Sequence, residues 1–575
     1  MSNIGKSFNR NHVYEYHAPS LLGLAKAALE YVFSGGNLHQ LQESREYQNL
    51  SSLAPAIRVN VTLRCDGRVR GSRSAPGRNL AEQVHFASIK AAGDGRFNGS
   101  LTRIELERTS IELWIQTGST DISIEDRLRV DALDLGVDGL EIEGHGKHAF
   151  HKPSFAITKG LSTPENFFSA LCLKAGLNKL DWKSQEIRLA KTDWSCWLIN
   201  PQGEKLKLSA LRRQPEEAVK AKDIPRWLLE SCVYFVRNQQ ATGMIAYVYD
   251  PIKNRISDRS LNRVRACGCL YALALALQHS EVREVKQALE QASRCLAEGL
   301  LRQTTLWKDG CRVVSEKKMD HPPKLGATAL LLAALSFDPL KASHESQVKE
   351  LYRSVLLAQK SDGRFITHFG LSEENLGLAN YYSGEALLAL VLQAEHGDDV
   401  AAETCRRSFR PYRDHFRAAP TTAFIGWHAG VWSRLAIAEA NEEYADFVFE
   451  QIDWLLRWQI CKSKTSEWIG GFSEAARVPQ SASVVYTEAI LHALRLAHLT
   501  GNRERSERFA EAARRALMFC ARLRLENVPT TFFPDPLRCR GGVAMGLAKK
   551  TVRSDVVQHF ITMCLAAIAN PVEIL

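Results

Sequence analysis

Long apolar runs are missing from this sequence. Nowhere in its 575 residues is there a stretch of about eighteen uncharged apolar residues, the length that crosses a bilayer, and the opening MSNIGKSFNRNHVYEYHAP has no apolar signal core. A cytoplasmic, soluble protein without a membrane partner is the expectation. Paired metal-ligand spacings are missing too. The 13 cysteines are an odd number scattered through helical patterns such as CGCLYALAL and MFCARL, with no CxxC or HxxxH pairing. They read as reduced core residues, not as a disulfide framework or a zinc site. The GGNLHQ and PQGEK segments lack the lysine and the strand–loop–helix setting of a phosphate cradle. Charge of one sign is not in large excess either: 74 Lys and Arg face 64 Asp and Glu, a net +10 interleaved along the chain. That balance permits an acidic partner without demanding one, so nucleic acid is not the expected ligand. No metal and no cofactor is expected.

At 45% apolar and 24% charged residues the chain is globular, with length for two or three domains. The first part is α+β. Residues 21–33 carry a helical apolar stripe closed by Ser34-Gly35-Gly36. AIRVNVTLRC then alternates, meets Asp66-Gly67 as a hairpin turn, and RVRGSRS returns. Residues 63–79 hold five arginines and three glycines with no aromatic residue. Asn79 followed by Glu82 reads as a capping box opening a helix over LAEQVHFASIKAA. Strands follow in RIELERTSIELWI and GVDGLEIEGHGKHAF, and Thr163-Pro164 opens a helix that Gly176 ends.

From about residue 224 the pattern becomes long Ala- and Leu-rich helices separated by loops with Gly, Trp and Phe. The expected division is 1–206 as an α+β domain, 207–223 as a charged linker, and 224–575 as an all-α domain. The helices pair as 227–239 with 265–278, 284–301 with 325–337, 345–360 with 382–395, 399–416 with 427–440, 444–459 with 485–499, and 505–525 with 555–569. In most pairs the second helix carries less charge, which predicts an inner ring of second helices inside an outer ring of first helices, an (α/α)6 toroid.

The residues of the first half resemble the AMMECR-one domain family, often associated with Memo-type and radical S-adenosylmethionine proteins. The resemblance is carried by VTLRCDGRVRGS, KAAGDGRFNGSLTRIEL, LGVDGLEIEG and FFSALCLKAGL in order. It implies an α+β AMMECR-type fold and partners of those two kinds. Ser72 stands where the family has a cysteine, and Arg73-Ser74 where it has Ile-Gly. The second half is similar to bacterial toroid proteins related in architecture to glycan-processing hydrolases and uronyl epimerases, through Arg265, YSGEAL from Tyr382, Trp427-His428, Gly470-Gly471-Phe472, YTEA from Tyr486, and Arg553-Ser554-Asp555 with His559. That similarity implies a small-molecule or glycan substrate, handled by a hydrolase or an epimerase. The alternative is a non-catalytic adaptor or anion-binding module.

Glu385 and Glu488 sit near the starts of expected inner helices in apolar surroundings, so two carboxylates can face one funnel, one protonated as acid and one ionised as base. Alternatively each satisfies free N–H groups at a helix start or pairs with an arginine. Asp555 and His559 are one turn apart and share a face, so Asp555 can orient His559 while Arg553 grips a substrate carboxylate. A packed Asp–His pair fits the same spacing. His428 is a further acid–base candidate or a core histidine. Arg265, Tyr382, Trp427, Phe472 and Tyr486 are the expected substrate-binding side chains, with Phe533 as another stacking surface or core aromatic. Arg70, Arg73 and Arg78 either surround an anion at the helix start after Asn79 or form a solvated face.

Overall fold

The computed structural model describes residues 4–35, 41–97, 99–129, 131–208, 219–257, 262–315, 321–371, 376–463, 466–473 and 478–570. In the first half, helices α1 (Ile4–Ser34), α2 (Arg45–Ser51) and α3 (Leu80–Ala92) accompany a sheet of β1 (Arg58–Cys65), β2 (Arg68–Ser74), β3 (Thr109–Asp121), β4 (Gly139–Gly144), β5 (Lys147–His151), β6 (Arg188–Ile199) and β7 (Lys205–Leu208). The strand order is β2-β1-β3-β6-β4-β5, with β7 also paired to β6. Because side chains alternate across a strand, Val59, Val61 and Leu63 are fully buried on one face. Helices α1 and α3 pack there. The other face carries Asn60, Thr62 and Arg64. The short α4 (Ser154–Lys159) and α5 (Pro164–Ala175) follow β5, and α5 covers β4 and β5. The expected linker is shorter than read, because β7 extends the sheet to Leu208; residues 209–218 lie outside the described residues.

The hairpin at Asp66-Gly67 forms as expected, but a bulge opposite Leu63 and Arg64 inserts Arg70 as an extra residue. Gly71 is required next to it, since a Cβ there would lie 1.9 Å from the Ala91 carbonyl oxygen of α3. Asn79 caps α3 by accepting from the Glu82 N–H at 2.9 Å. The Glu82 carboxylate turns to Arg78 instead of back to the cap.

The second half is the toroid. Inner helices α7 (Arg263–Ala276), α9 (Leu325–Leu335), α11 (Leu376–Ala394), α13 (Thr422–Glu439), α15 (Ala482–Leu499) and α17 (Ser554–Ile568) touch in sequence, and α17 closes on α7. Outer helices α6 (Ile224–Asn238), α8 (Lys286–Leu301), α10 (Glu345–Leu357), α12 (Asp399–Ala418), α14 (Glu442–Leu455) and α16 (Arg503–Arg522) each lean on the inner helix of the preceding pair. By the same rule α6, the first, leans on α17, the last. Inner helices bury side chains all round, as α9 does over its whole length, whereas α12 and α16 keep charged residues on their outer faces. A three-stranded ribbon of β8 (Val248–Asp250), β9 (Arg255–Ile256) and β10 (Val552–Arg553) ties the first and last connections together.

The two halves meet at the connections preceding the inner helices. Gly67 packs on the backbone of Phe533 and Pro534, and the Arg64 guanidinium lies 4.6 Å from the centre of the Phe532 ring. Leu135 and Leu161 share a cleft with Trp468, Val478 and Leu547. Buried apolar contacts run without a break from Trp114 and Leu198 into the toroid core. Among the described residues no helix is long and apolar enough to cross a membrane.

Candidate functional site

Arg70, Arg73 and Arg78 are spoken for. Arg70 grips both oxygens of Glu105 at 2.7 and 3.1 Å, and that contact holds the Glu105 carboxyl down at about 2. Arg73 and Arg96 share fully buried Asp94, at 2.9 and 2.7 Å. Burial acts to raise Asp94, but hydrogen bonds from Arg96 and the Ser72 N–H outweigh it and keep this carboxyl at about 2. Arg78 pairs with Glu82 at 2.6 Å. The start of α3 is thus filled by Asn79 and Glu82. The expectation that Arg70, Arg73 and Arg78 encircle an external anion gives way to carboxylate partners supplied by the domain itself.

In the toroid, Arg265 and Asp555 lie near the starts of their inner helices, whereas Glu385, expected near a helix start, sits in the middle of α11 because that helix begins earlier, at Leu376. Asp555, in the first turn of α17, receives Arg553 Nε at 2.9 Å on Oδ1 and the second Arg553 nitrogen on Oδ2. Arg265 Nε from α7 lies 3.4 Å from the same Oδ2. Tyr247 closes this group, its ring 5.2 Å from the Arg553 guanidinium. Asp555 therefore organises two arginines and does not orient His559. Instead, His559 Nδ1 meets Glu488 Oε2 of α15 at 2.9 Å. The His559 ring lies 5.0 Å from that of Trp427 on α13.

Glu385 differs from all of these. It is fully buried on α11, and neither carboxylate oxygen has a hydrogen-bond partner. Burial pushes its carboxyl up to about 7, with the charge of Arg265 pulling the other way. The carboxylate fits only because Gly326 faces it across α9, where a Cβ would stand 2.0 Å from Oε2. Tyr382 occupies the same corner. The glutamate is therefore held close to protonation balance near neutral pH, the condition that an acid–base catalyst needs. Glu385 and Glu488 are not equivalent members of one dyad: one lacks partners and the other holds an imidazole.

Below this level the inner helices line a partly open cavity of about 120 Å³ whose walls include Tyr271, Trp427, Arg434, Glu488, His492 and Arg495. Burial pulls His492 down to about 4, so it sits there as a neutral ring at pH 7. Arg434 is held by Glu395 at 2.7 Å. The cavity is smaller than the roughly 300–1,000 Å³ of a typical drug-sized site, so it fits a small solute or one end of a longer one.

Other candidates have packing roles. His428 is fully buried and stacked on Phe424 with ring centres 3.6 Å apart; Ser383 Oγ meets Nε2 at 2.9 Å, and Trp432 donates to Nδ1 at 3.2 Å. Both nitrogens are engaged, and burial holds the ring well below its ordinary pKa. Phe472 stands edge-on to Tyr486 at 5.5 Å, and Phe533 is the surface on which Gly67 rests. Among the described residues no group of three or more His, Cys, Asp or Glu side chains could hold a metal ion.

Sequence reasoning missed Tyr247, which lies in the connection before β8 without a helical pattern around it. Gln558, which carries the toroid resemblance together with His559, has its Nε2 buried without a partner while Oε1 lies against Gly268. A usable signal was the glycine on each of α7, α9, α11 and α13, which marks where inner helices approach closely.

Residues 22–193 match the AMMECR1 family model, so the α/β half is of AMMECR1 type and the whole is such a domain joined to a helical toroid. A Thermoplasma volcanium protein is 30% identical over 128 residues, 22% of this chain and 63% of its own length. The chain thus spans less than two thirds of that relative. Among solved structures, a D-mannose isomerase aligns with 12% identity and a TM-score of 0.44 over 62% of this chain and 99% of its own. An α-1,6-mannanase from Salegentibacter aligns with 11% identity and a TM-score of 0.42 over 61% and 100%. The ring architecture itself rests on the helix contacts described above.

Proposed function

We propose that the toroid is an acid–base enzyme acting on a carbohydrate or carbohydrate-like anionic substrate, by hydrolysis or epimerisation. The observation that carries this reading is Glu385, a carboxyl inside the ring with no hydrogen-bond partner and a proton affinity placed near neutrality. A group of that kind donates or takes a proton at pH 7 without assistance. His559 is the second group: Glu488 meets its Nδ1, and among the described residues its Nε2 forms no hydrogen bond, which leaves that nitrogen for a substrate group. Trp427 offers an apolar ring face against which a sugar can stack. Arg265 and Arg553, brought together by Asp555, supply positive charge for an acidic group on the substrate.

Purified protein is assayed against a panel of aldoses, uronic acids and oligosaccharides, with product stereochemistry followed by NMR. Turnover should fall about a hundredfold or more in Glu385→Gln, in the range that proton transfer by a positioned group contributes. Turnover that survives this change unaltered rejects the assignment. No turnover on any member of the panel, with specific capture of a partner protein, favours the adaptor.

A further inference from the structure

The AMMECR1-type half has a polar cluster of its own, on the sheet face away from α1 and α3. Ladder pairing sets it out in rows: Ser72, Thr62 and Glu112 lie side by side on β2, β1 and β3, and Ser74, Asn60, Trp114 and Cys196 form the next row. Lys152, just after β5, reaches into these rows. Its Nζ donates to Asn60 Oδ1 at 2.9 Å and contacts Thr62 Oγ1, and it stands 5.2 Å from the centre of the Trp114 ring. Thr62 Oγ1 is 2.8 Å from Ser72 Oγ.

Among the described residues no carboxylate lies within ion-pair distance of Lys152. The nearest acid, Glu112, is fully buried and already engaged, by Arg64 Nε on one oxygen and by Trp114 Nε1 at 2.9 Å on the other. The ammonium thus faces neutral acceptors, with two cations, Arg64 and Lys174, in its field. Burial leads in pulling this amine down to about 8; Arg64 and Lys174 act in the same direction, and Glu112 and Cys196 oppose them. Lys152 as a whole residue is half-buried, with its Nζ end set among buried Asn60 and Thr62.

We propose that Lys152 is a nucleophilic amine that captures a small aldehyde or ketone as an imine. The Nζ lone pair adds to the carbonyl carbon and forms the C–N bond. The carbonyl oxygen collects the two amine hydrogens and leaves as water, which produces C=N with no change of oxidation state. The linked hydroxyls of Thr62 and Ser72 lie in hydrogen-bond reach to relay those protons. A lysine in a dry setting beside other cations is the arrangement that activates an amine for such chemistry. The inference concerns a site in the other half of the chain and stands or falls independently of Glu385.

The full-length protein is pulsed with propanal and sodium cyanoborohydride between pH 7 and 10.5, and the alkylated lysines are mapped by mass spectrometry. An amine titrating near 8 is free at pH 7.5 roughly two hundred times as often as one near 10.4. With lower intrinsic nucleophilicity and restricted access, Lys152 should still react about tenfold faster than the median lysine. Its rate should be half-maximal near pH 8. Reaction at or below the median rate, or a profile rising only above pH 10, overturns the proposal. Lys152→Met should remove the fast site and leave the other lysines as they were. Wild type alone provides the pH profile, so the test holds even if that variant folds poorly.

Discussion

The arginine-rich segment of the first half and the ring of the second treat charge in opposite ways. Between residues 70 and 105 the carboxylates are matched: Glu82 holds Arg78, Asp94 holds Arg73 and Arg96, and Glu105 holds Arg70. At the inner face of the toroid, Glu385 is left with two oxygens buried and unmatched. A matched carboxylate has its proton affinity lowered and is spent on holding the structure. An unmatched one has its proton affinity raised, weakens the fold, and is kept where chemistry requires it. A dense run of charges in a sequence is therefore a poorer marker of function than one acid in an apolar helix.

The strongest way to break this contrast is to neutralise Glu385. Its carboxyl, at about 7 in the fold against 4.5 when unperturbed, binds its proton more tightly folded than unfolded. The cost to stability is absent below about pH 4.5, grows as pH rises, and is complete above pH 7, where a shift of this size amounts to about 3 kcal/mol. Urea unfolding of wild type and Glu385→Gln at pH 5 and pH 8 should show the variant gaining on wild type by up to that amount at the higher pH. An equal difference at both values would mean that the carboxylate is satisfied in solution.

Asp94 should behave in the reverse sense. Asp94→Asn removes a charge shared by two arginines and weakens the acceptor for the Ser72 N–H. The arginines are half exposed and re-hydrate, so the expected loss is about 2 kcal/mol at pH 7, below the range for a fully buried pair. Because the folded carboxyl lies at about 2 against 3.8, its contribution is present above pH 4 and disappears as pH falls through 2. The gap between wild type and variant should close over that interval, and a gap independent of pH would assign the loss to packing. The smallest effect belongs to Arg78→Gln. The Arg78 side chain is 88% exposed, so its thermal midpoint should be indistinguishable from wild type, and sulfate should bind both proteins equally weakly. Sulfate affinity lost on this change alone would restore an anion site at the start of α3.

The sequence made the order of elements legible, because helical periodicity and end signals are local. The twelve expected toroid helices overlap the observed ones, and Asn79 caps α3 where its spacing placed it. Glu385 and Glu488 stand out as acids in apolar helices and Asp555 with His559 by their spacing, whereas Arg265 and Trp427 come from the resemblance to toroid proteins. Their pairings were not legible. Asp555 and His559 share a helix face, which suggested a bond between them, yet Glu488 from α15 reaches His559 and two arginines from other segments claim Asp555. Strand alternation would put Arg70 on the same face as Arg68, but the bulge leaves Arg70 unpaired in the ladder and its guanidinium grips Glu105.

What the sequence determined by itself was the alternation of apolar and polar residues, and with it the sheet of the first half and the two rings of the second, since burial of an apolar stripe needs only local spacing. The tertiary structure alone decided which charges are neutralised. Partners such as Glu105 for Arg70 and Arg265 for Asp555 are separated by 35 and 290 residues, and a charge interacts through space with whatever the closed ring or the paired strand brings beside it. Closure of α17 onto α7 placed Arg265 against Asp555, and the packing of α11 on α9 at Gly326 left Glu385 without a partner.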